Sequence, residues 1–182
     1  MNQTYKIKTA LLHFLRFSKQ AYVATEISTG LGTSDVLYIP KKKKEIYEVE
    51  IKVSKQDLLR EWDKKAHKHK FLTFYPNVNY FYFCVPEVLK EFALEQIKDK
   101  PYGLYIFREV WVHKNKLQEQ LDLTKCIECV KKPKRLLKET SERFEQIKTD
   151  ICMRAMSDLA TLYKLYYYNG DKKTRNIIRE NL

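Results

Sequence analysis

Asp35, Glu50 and Lys52 are the residues of this chain best suited to chemistry, and they fall within one short segment. It reads Ser34-Asp35-Val36-Leu37-Tyr38-Ile39, a basic turn, then Tyr47-Glu48-Val49-Glu50-Ile51-Lys52-Val53. Two carboxylates plus one main-chain carbonyl make a hard, oxygen-rich site of the kind magnesium takes. An adjacent lysine can steady a reacting phosphate or water. Together these groups suit metal-assisted hydrolysis of a phosphodiester.

Both flanks of the segment alternate apolar with other residues and carry β-branched or aromatic side chains, so both read as strands. Pro40 and the lysines after it form a solvated turn, which makes the pair a hairpin. Residues two apart on a strand share a face, so Glu48, Glu50 and Lys52 point one way and Tyr47, Val49, Ile51 and Val53 the other. A suitable hairpin register adds Asp35 to the charged face. A charged stripe on a strand ordinarily faces water. A second strand argues otherwise: Asn79-Tyr80-Phe81-Tyr82-Phe83-Cys84-Val85, stopped by Pro86, is nearly continuous in apolar and aromatic residues. Such a strand is buried on both faces, so helices must cover both sides of the sheet. The charged stripe then looks into a covered cleft, where unpaired carboxylates are costly and a cation becomes the better explanation.

At 182 residues the chain is long enough for one domain with a core of its own. Its 35 Lys+Arg against 23 Asp+Glu leave +12, which favours a polyanionic partner, nucleic acid before an anionic membrane surface. No apolar run is long enough to span a bilayer, and Ala10–Arg16 is too interrupted for a signal peptide, so a cytoplasmic location without membrane contact is expected. Four cysteines in such a chain read as thiols. Cys126 and Cys129 have CxxC spacing without a second pair, which argues against zinc.

Helical spacing over 6–19 predicts a first amphipathic helix, and alternation over 21–28 predicts a strand. Ser54 and Asp57 form a capping box that opens a helix running to Lys70. A helix over 87–98, a strand over 104–107 and short strands near 110–113 and 126–130 follow. Phe144, Ile147, Ile151, Ala155, Leu159, Leu162 and Tyr166 keep a 3.6-residue period, the mark of a long C-terminal helix ended by Asn169-Gly170. Residues 1–135 thus form an α/β core and 136–182 a helical extension of the same domain.

With these residues assembled, the chain resembles the PD-(D/E)xK nuclease superfamily, and within it the MmcB-type DNA-repair proteins and their phage-encoded relatives. The likeness runs from about Glu26 to Pro86, with a weaker echo to Lys134. Glu26 stands at the group's upstream acid, Asp35 at its motif aspartate (with Ser34 replacing the proline), and Glu50-Ile51-Lys52 at its ExK element. Ser54, Asp57 and the lysines at 64, 65, 68 and 70 follow the pattern after ExK. The resemblance implies a restriction-endonuclease-like α/β fold, a mixed central sheet flanked by helices with a long C-terminal helix added. It also implies magnesium- or manganese-dependent cutting of nucleic acid, DNA foremost.

In that scheme Asp35, Glu50 and the main-chain carbonyl of Ile51 ligate the metal. Lys52 orients or deprotonates the attacking water, or stabilises developing charge. Glu26 is a fourth member that helps hold a second ion, and Glu48 a reserve ligand or a solvated residue. Lys41, Lys42, Lys43 and Lys44 are expected near the cleft mouth, and Gln56, Lys65 and Lys70 on the helix leaving the site, all as nucleic-acid contacts. His67 and His69, two apart on a helix, cannot share a metal and read as helix-end or phosphate-contact residues. A catalytically silent nucleic-acid-binding module of the same fold is the main alternative, and a basic adaptor for acidic partners a third.

Overall fold

The aromatic run at 80–86 is the centre of the fold, buried on both sides as its composition predicts. The computed structural model describes residues 2–29, 32–64, 66–74, 76–115 and 118–169. Its elements are α1 (Gln3–His13), β1 (Ala21–Ser28), β2 (Thr33–Pro40), β3 (Tyr47–Ile51), α2 (Lys55–Lys64), α3 (Ala66–Phe74), β4 (Tyr80–Pro86), α4 (Lys90–Gln96), β5 (Gly103–Phe107), β6 (Trp111–Asn115), β7 (Gln118–Leu121), β8 (Ile127–Lys131) and α5 (Phe144–Asn169). Six strands form one mixed sheet in the order β1-β2-β3-β4-β5-β8, with β6 and β7 as a separate hairpin. β1, β2 and β3 are antiparallel, β3, β4 and β5 parallel, and β8 returns antiparallel to β5.

α1 lays Ile7, Ala10 and Leu11, and the turn after it Leu15, on one face of the sheet, against Val36, Tyr38, Val49, Tyr82 and Tyr105. The opposite face packs Leu37, Ile39, Phe81, Phe83 and Leu104 under Leu58 of α2, Leu72 of α3, Ala93 of α4, and Phe144, Ile147 and Ile151 of α5. The start of α5 therefore belongs to the core, while Met153, Met156, Leu159 and Leu162 further along are exposed. Period two on β3 sends Glu48, Glu50 and Lys52 to the face beneath α2 and α3.

Local signals set most boundaries. Asn2 caps α1 by accepting the Thr4 N–H at 3.0 Å, which starts the helix earlier than apolar spacing suggests. A π-helical turn over Phe14–Ser18 ends it. Ser54 opens α2 by accepting the Asp57 N–H at 3.1 Å, and the Asp57 carboxylate reaches back to the Val53 N–H at 3.4 Å. The helix expected over 54–70 is two helices, α2 and α3, with Lys65 between them outside the described residues. β7 falls between the short strands expected near 110–113 and 126–130. It pairs with β6 in a two-stranded sheet of its own, apart from the six-stranded one. No helix among the described residues is long and apolar enough to cross a membrane.

Gly103 opens β5 where the Tyr82 ring lies flat: a Cβ there would sit 2.5 Å from two ring atoms and 2.9 Å from Pro133. Tyr82 is itself stacked on Tyr105 at 4.2 Å between centroids, so the ring has little room to give. Gly103→Ala is expected to destabilise the fold by about 1–3 kcal/mol, the usual cost of overpacking. Thermal melts check this; an unchanged midpoint would mean that the stack yields freely.

Candidate active site

Pairing between β2 and β3 stops at Val36 and Val49, and one residue beyond, Asp35 faces Glu50 where the strands part. Asp35 fills the gap left in the ladder: its Oδ2 accepts the Ile51 N–H at 2.8 Å. The Asp35 and Glu50 carboxyls lie close enough to act on one another. Burial, then the bond to Glu50 and its charge, push the Asp35 carboxyl up to about 6, against the opposing pull of the Ile51 N–H and Lys8. Asp35 retains a 27 % exposed side chain, whereas Glu50 is 2 % exposed, so the pair is reached from the Asp35 side. The Lys52 N–H donates to the Cys84 carbonyl of β4 at 3.0 Å. Across a trans peptide N–H and C=O point oppositely, so the Ile51 carbonyl is directed away from β4, toward the parted strands.

Two buried lysines balance the acids of β3. Lys68 of α3 lies 2.7 Å from Glu48 and 2.8 Å from Glu50. Burial pulls its amine down, but these two carboxylates more than offset that, and the net shift is upward. Lys52 lies 2.7 Å from Glu61 of α2 and 4.0 Å from Asp57. Burial opposes its charge too, yet Glu50, Glu61 and Asp57 together raise it, so it stays an ammonium and acts as a donor. Glu61 also meets His69 Nε2 at 3.2 Å, and His69 Nδ1 lies 2.9 Å from the Tyr102 hydroxyl. Glu48, expected as a reserve ligand or solvated, is therefore a buried ion-pair member, and His69, expected at a helix end or on phosphate, is an interior bridge. Helical spacing alone did not reveal that α3 turns Lys68 and His69 inward, because α3 carries little apolar contrast between its faces.

Glu26 lies on the same line across the sheet. The β1–β2 ladder passes from Thr25–Val36 to Ile27–Ser34, which leaves Glu26 opposite Asp35. Glu26 has φ of 57°, a left-handed conformation that irregularly twists the strand and re-aims its side chain. Its Oε1 lies 3.0 Å from Lys8 of α1 and its Oε2 3.4 Å from Arg154 of α5. The Lys8 hydrogen bond and charge, with a lesser contribution from Arg154, hold its carboxyl below the usual range. Lys8 is also 3.6 Å from Asp35. No sequence signal pointed to Lys8 or Glu61, and Lys68 stood only among the lysines that follow the ExK pattern; helix packing brings all three in.

The remaining basic residues lie elsewhere. The Lys41–Lys44 turn follows Pro40, five residues along β2 from Asp35, so it sits roughly 16 Å away at the far end of the hairpin. The expectation that it borders the cleft mouth is thereby corrected: register places the acids at the open end of the hairpin. The lysines Lys41, Lys42, Lys43 and Lys44 are exposed and, with Tyr22, Phe144 and Lys148, line a cavity of about 280 Å³. Gln56 is exposed in the first turn of α2, near the Asp57 that faces Lys52. Lys70 is exposed on a different recess, with Trp62, Phe74, Lys100 and Tyr102. Lys65 lies outside the described residues. Cys126 is buried, Cys129 exposed, and both are free thiols.

Among the described residues no three His, Cys, Asp or Glu side chains form a metal-holding group. Two neighbouring carboxyls and a carbonyl turned to the same gap nonetheless fit a hard divalent cation that keeps several waters, as magnesium does. Asp35 and Glu50 would hold it with the Ile51 carbonyl; Glu26, engaged by two cations, does not fit the second-ion role expected for it.

No family model matches the chain, and no curated protein matches it significantly. A solved structure of a protein of unknown function from Silicibacter pomeroyi is similar to it, with a TM-score of 0.63 over 89 % of this chain and 92 % of that one. The two are 16 % identical, a likeness of fold alone.

The Asp35 carboxyl makes stability depend on pH. Its folded pKa, about 6, lies above the ordinary value of 3.8, so the neutral acid is what the fold favours. The associated stability is complete below the ordinary value and lost as pH rises through about 6. Asparagine can donate to Glu50 and accept from Ile51 without a charge. Asp35→Asn is therefore expected to be roughly 1–3 kcal/mol more stable than the parent at pH 8 and to lose that advantage near pH 4. Urea unfolding at both pH values checks this, and an equal difference at the two would contradict it.

Proposed function

We propose that this chain is a metal-dependent nuclease of the PD-(D/E)xK kind that hydrolyses phosphodiester bonds of DNA, in repair or phage DNA metabolism. The observation that carries this is the meeting of the Asp35 and Glu50 carboxyls where β2 and β3 part, with Lys52 next along the same face. A cation held there would generate hydroxide from a bound water and offset charge on the scissile phosphate. Lys52, kept as an ammonium and oriented by Glu61, serves as a hydrogen-bond donor to the attacking water or to the developing charge. The net charge of +12 supports a polyanionic substrate. A plasmid-nicking assay with magnesium or manganese, against the same protein in chelator, tests it. Cutting that needs the ion supports the proposal; no cutting of any DNA with either ion removes it.

One observation favours the silent binding module. Lys68 neutralises Glu48 and Glu50 from within the core, as a purely structural ion pair would. In that case DNA binding persists without cutting. Under either function, exchanging Lys41, Lys42, Lys43 and Lys44 for glutamate is expected to weaken binding. The slope of log affinity on log salt should fall by about one for each phosphate that the lysines no longer neutralise. Titrations at several salt concentrations measure it; an unchanged slope would show that this end of the hairpin does not meet the nucleic acid.

A further inference from the structure

The acids Glu26, Asp35 and Glu50 stand side by side on three adjacent strands, a row of carboxylates of the kind that two cations can share. The lysine of α1 changes that. Lys8 Nζ lies 3.0 Å from Glu26 and 3.6 Å from Asp35, on the Asp35 oxygen not engaged by Ile51. Its side chain is only 13 % exposed, and its stem rises from a helix anchored in the core by Ile7, Ala10 and Leu11. Arg154 occupies the other Glu26 oxygen at 3.4 Å and is itself held at 3.2 Å by Asp158. Both oxygens of Glu26 thus face cations from two different helices.

We infer that the site takes one divalent cation, at Asp35 and Glu50, and that the Lys8 ammonium stands where a second ion would otherwise sit between Glu26 and Asp35. This rests on the nuclease proposal above. In sites with two metals the ions lie about 3.5–4 Å apart and share a bridging carboxylate. Lys8 keeps contact distance from both carboxylates that such a second ion would need. It supplies one positive charge with no coordination requirement and no dependence on ion concentration. An ammonium has three donors, so a phosphate oxygen entering the site can be met by Lys8 while Glu26 keeps its bond. Glu26 in this arrangement is a positioning residue, holding Lys8 over Asp35 from a left-handed backbone position.

Counting bound manganese tests this without reference to cleavage. The full chain is titrated with Mn²⁺ at pH 8 and low ionic strength, and free ion is read by electron paramagnetic resonance. The parent and Lys8→Arg are expected to bind one ion per chain. Lys8→Ala is expected to bind two, the second more weakly, and Lys8→Met, which keeps the packing of the stem, must give the same count. Two ions on the parent would overturn the inference while leaving the nuclease proposal standing. One ion on both Lys8→Ala and Lys8→Met would overturn it likewise. No ion on the parent would remove the metal site, and the inference with it.

Discussion

Glu50→Gln is expected to lower single-turnover cleavage at least about a hundredfold, which corresponds to a loss of roughly 2.7 kcal/mol or more of transition-state stabilisation. The amide keeps the shape of the side chain and can still bond both Asp35 and Lys68, so the fold should persist. What disappears is the negative charge that, with Asp35, would hold a cation in the gap between β2 and β3. DNA affinity without metal should hold or rise, since one carboxylate no longer repels the phosphates. Lys52→Ala is expected to lose cleavage as well, but it also deprives the buried Glu61 of a 2.7 Å partner, so its unfolding must be measured alongside. A Glu50→Gln protein that cuts as fast as the parent would refute the assignment of the active site.

Lys68→Met is expected to have the largest effect on stability. It leaves Glu48 and Glu50, 1 % and 2 % exposed at their side chains, without the cation at 2.7 and 2.8 Å that balances them. Removing one partner of a buried ion pair costs about 3–5 kcal/mol, because the remaining charge stays in a poorly solvating interior. In a chain of this size that lowers the thermal midpoint by roughly 6–20 °C. Adding Glu48→Gln should recover part of the loss, and so should acid, which neutralises the stranded carboxylates. Thermal melts of the single and double variants at pH 5 and pH 8 measure this. A loss for Lys68→Met below about 0.5 kcal/mol, the scale of ordinary surface changes, would show that water or rearrangement relieves the charge.

The two effects separate what the ionic groups contribute. Glu50 sits at their junction: toward Asp35 it belongs to an accessible gap, toward Lys68 to the closed core. A lysine bridging two glutamates keeps β3 under α3, and the same contact sets the orientation of the Glu50 carboxyl. Stability and chemistry are thus coupled through one side chain, and Glu50→Gln is informative because it preserves shape while removing charge.

Local and periodic features were legible from the residues. The hairpin, the common face of Glu48, Glu50 and Lys52, the Ser54–Asp57 cap, the doubly buried strand 80–86 and the long C-terminal helix all follow from side-chain period and capping chemistry. So does the juxtaposition of Asp35 with Glu50, once the hairpin register is in place. These depend on neighbours within a few residues or on the partner strand of a hairpin, where the chain itself dictates geometry.

What tertiary structure alone decided is which charges meet. Lys8, Lys68, Glu61, His69 and Arg154 come from four helices whose docking is governed by apolar faces, and nothing in their local sequence records the partner they find. The distance of the Lys41–Lys44 turn from the acids, by contrast, was implicit in the hairpin itself, whose turn and open end lie at opposite ends of its strands. An ion pair's strength depends on distance and burial, and across elements both are set by the packing of the whole core.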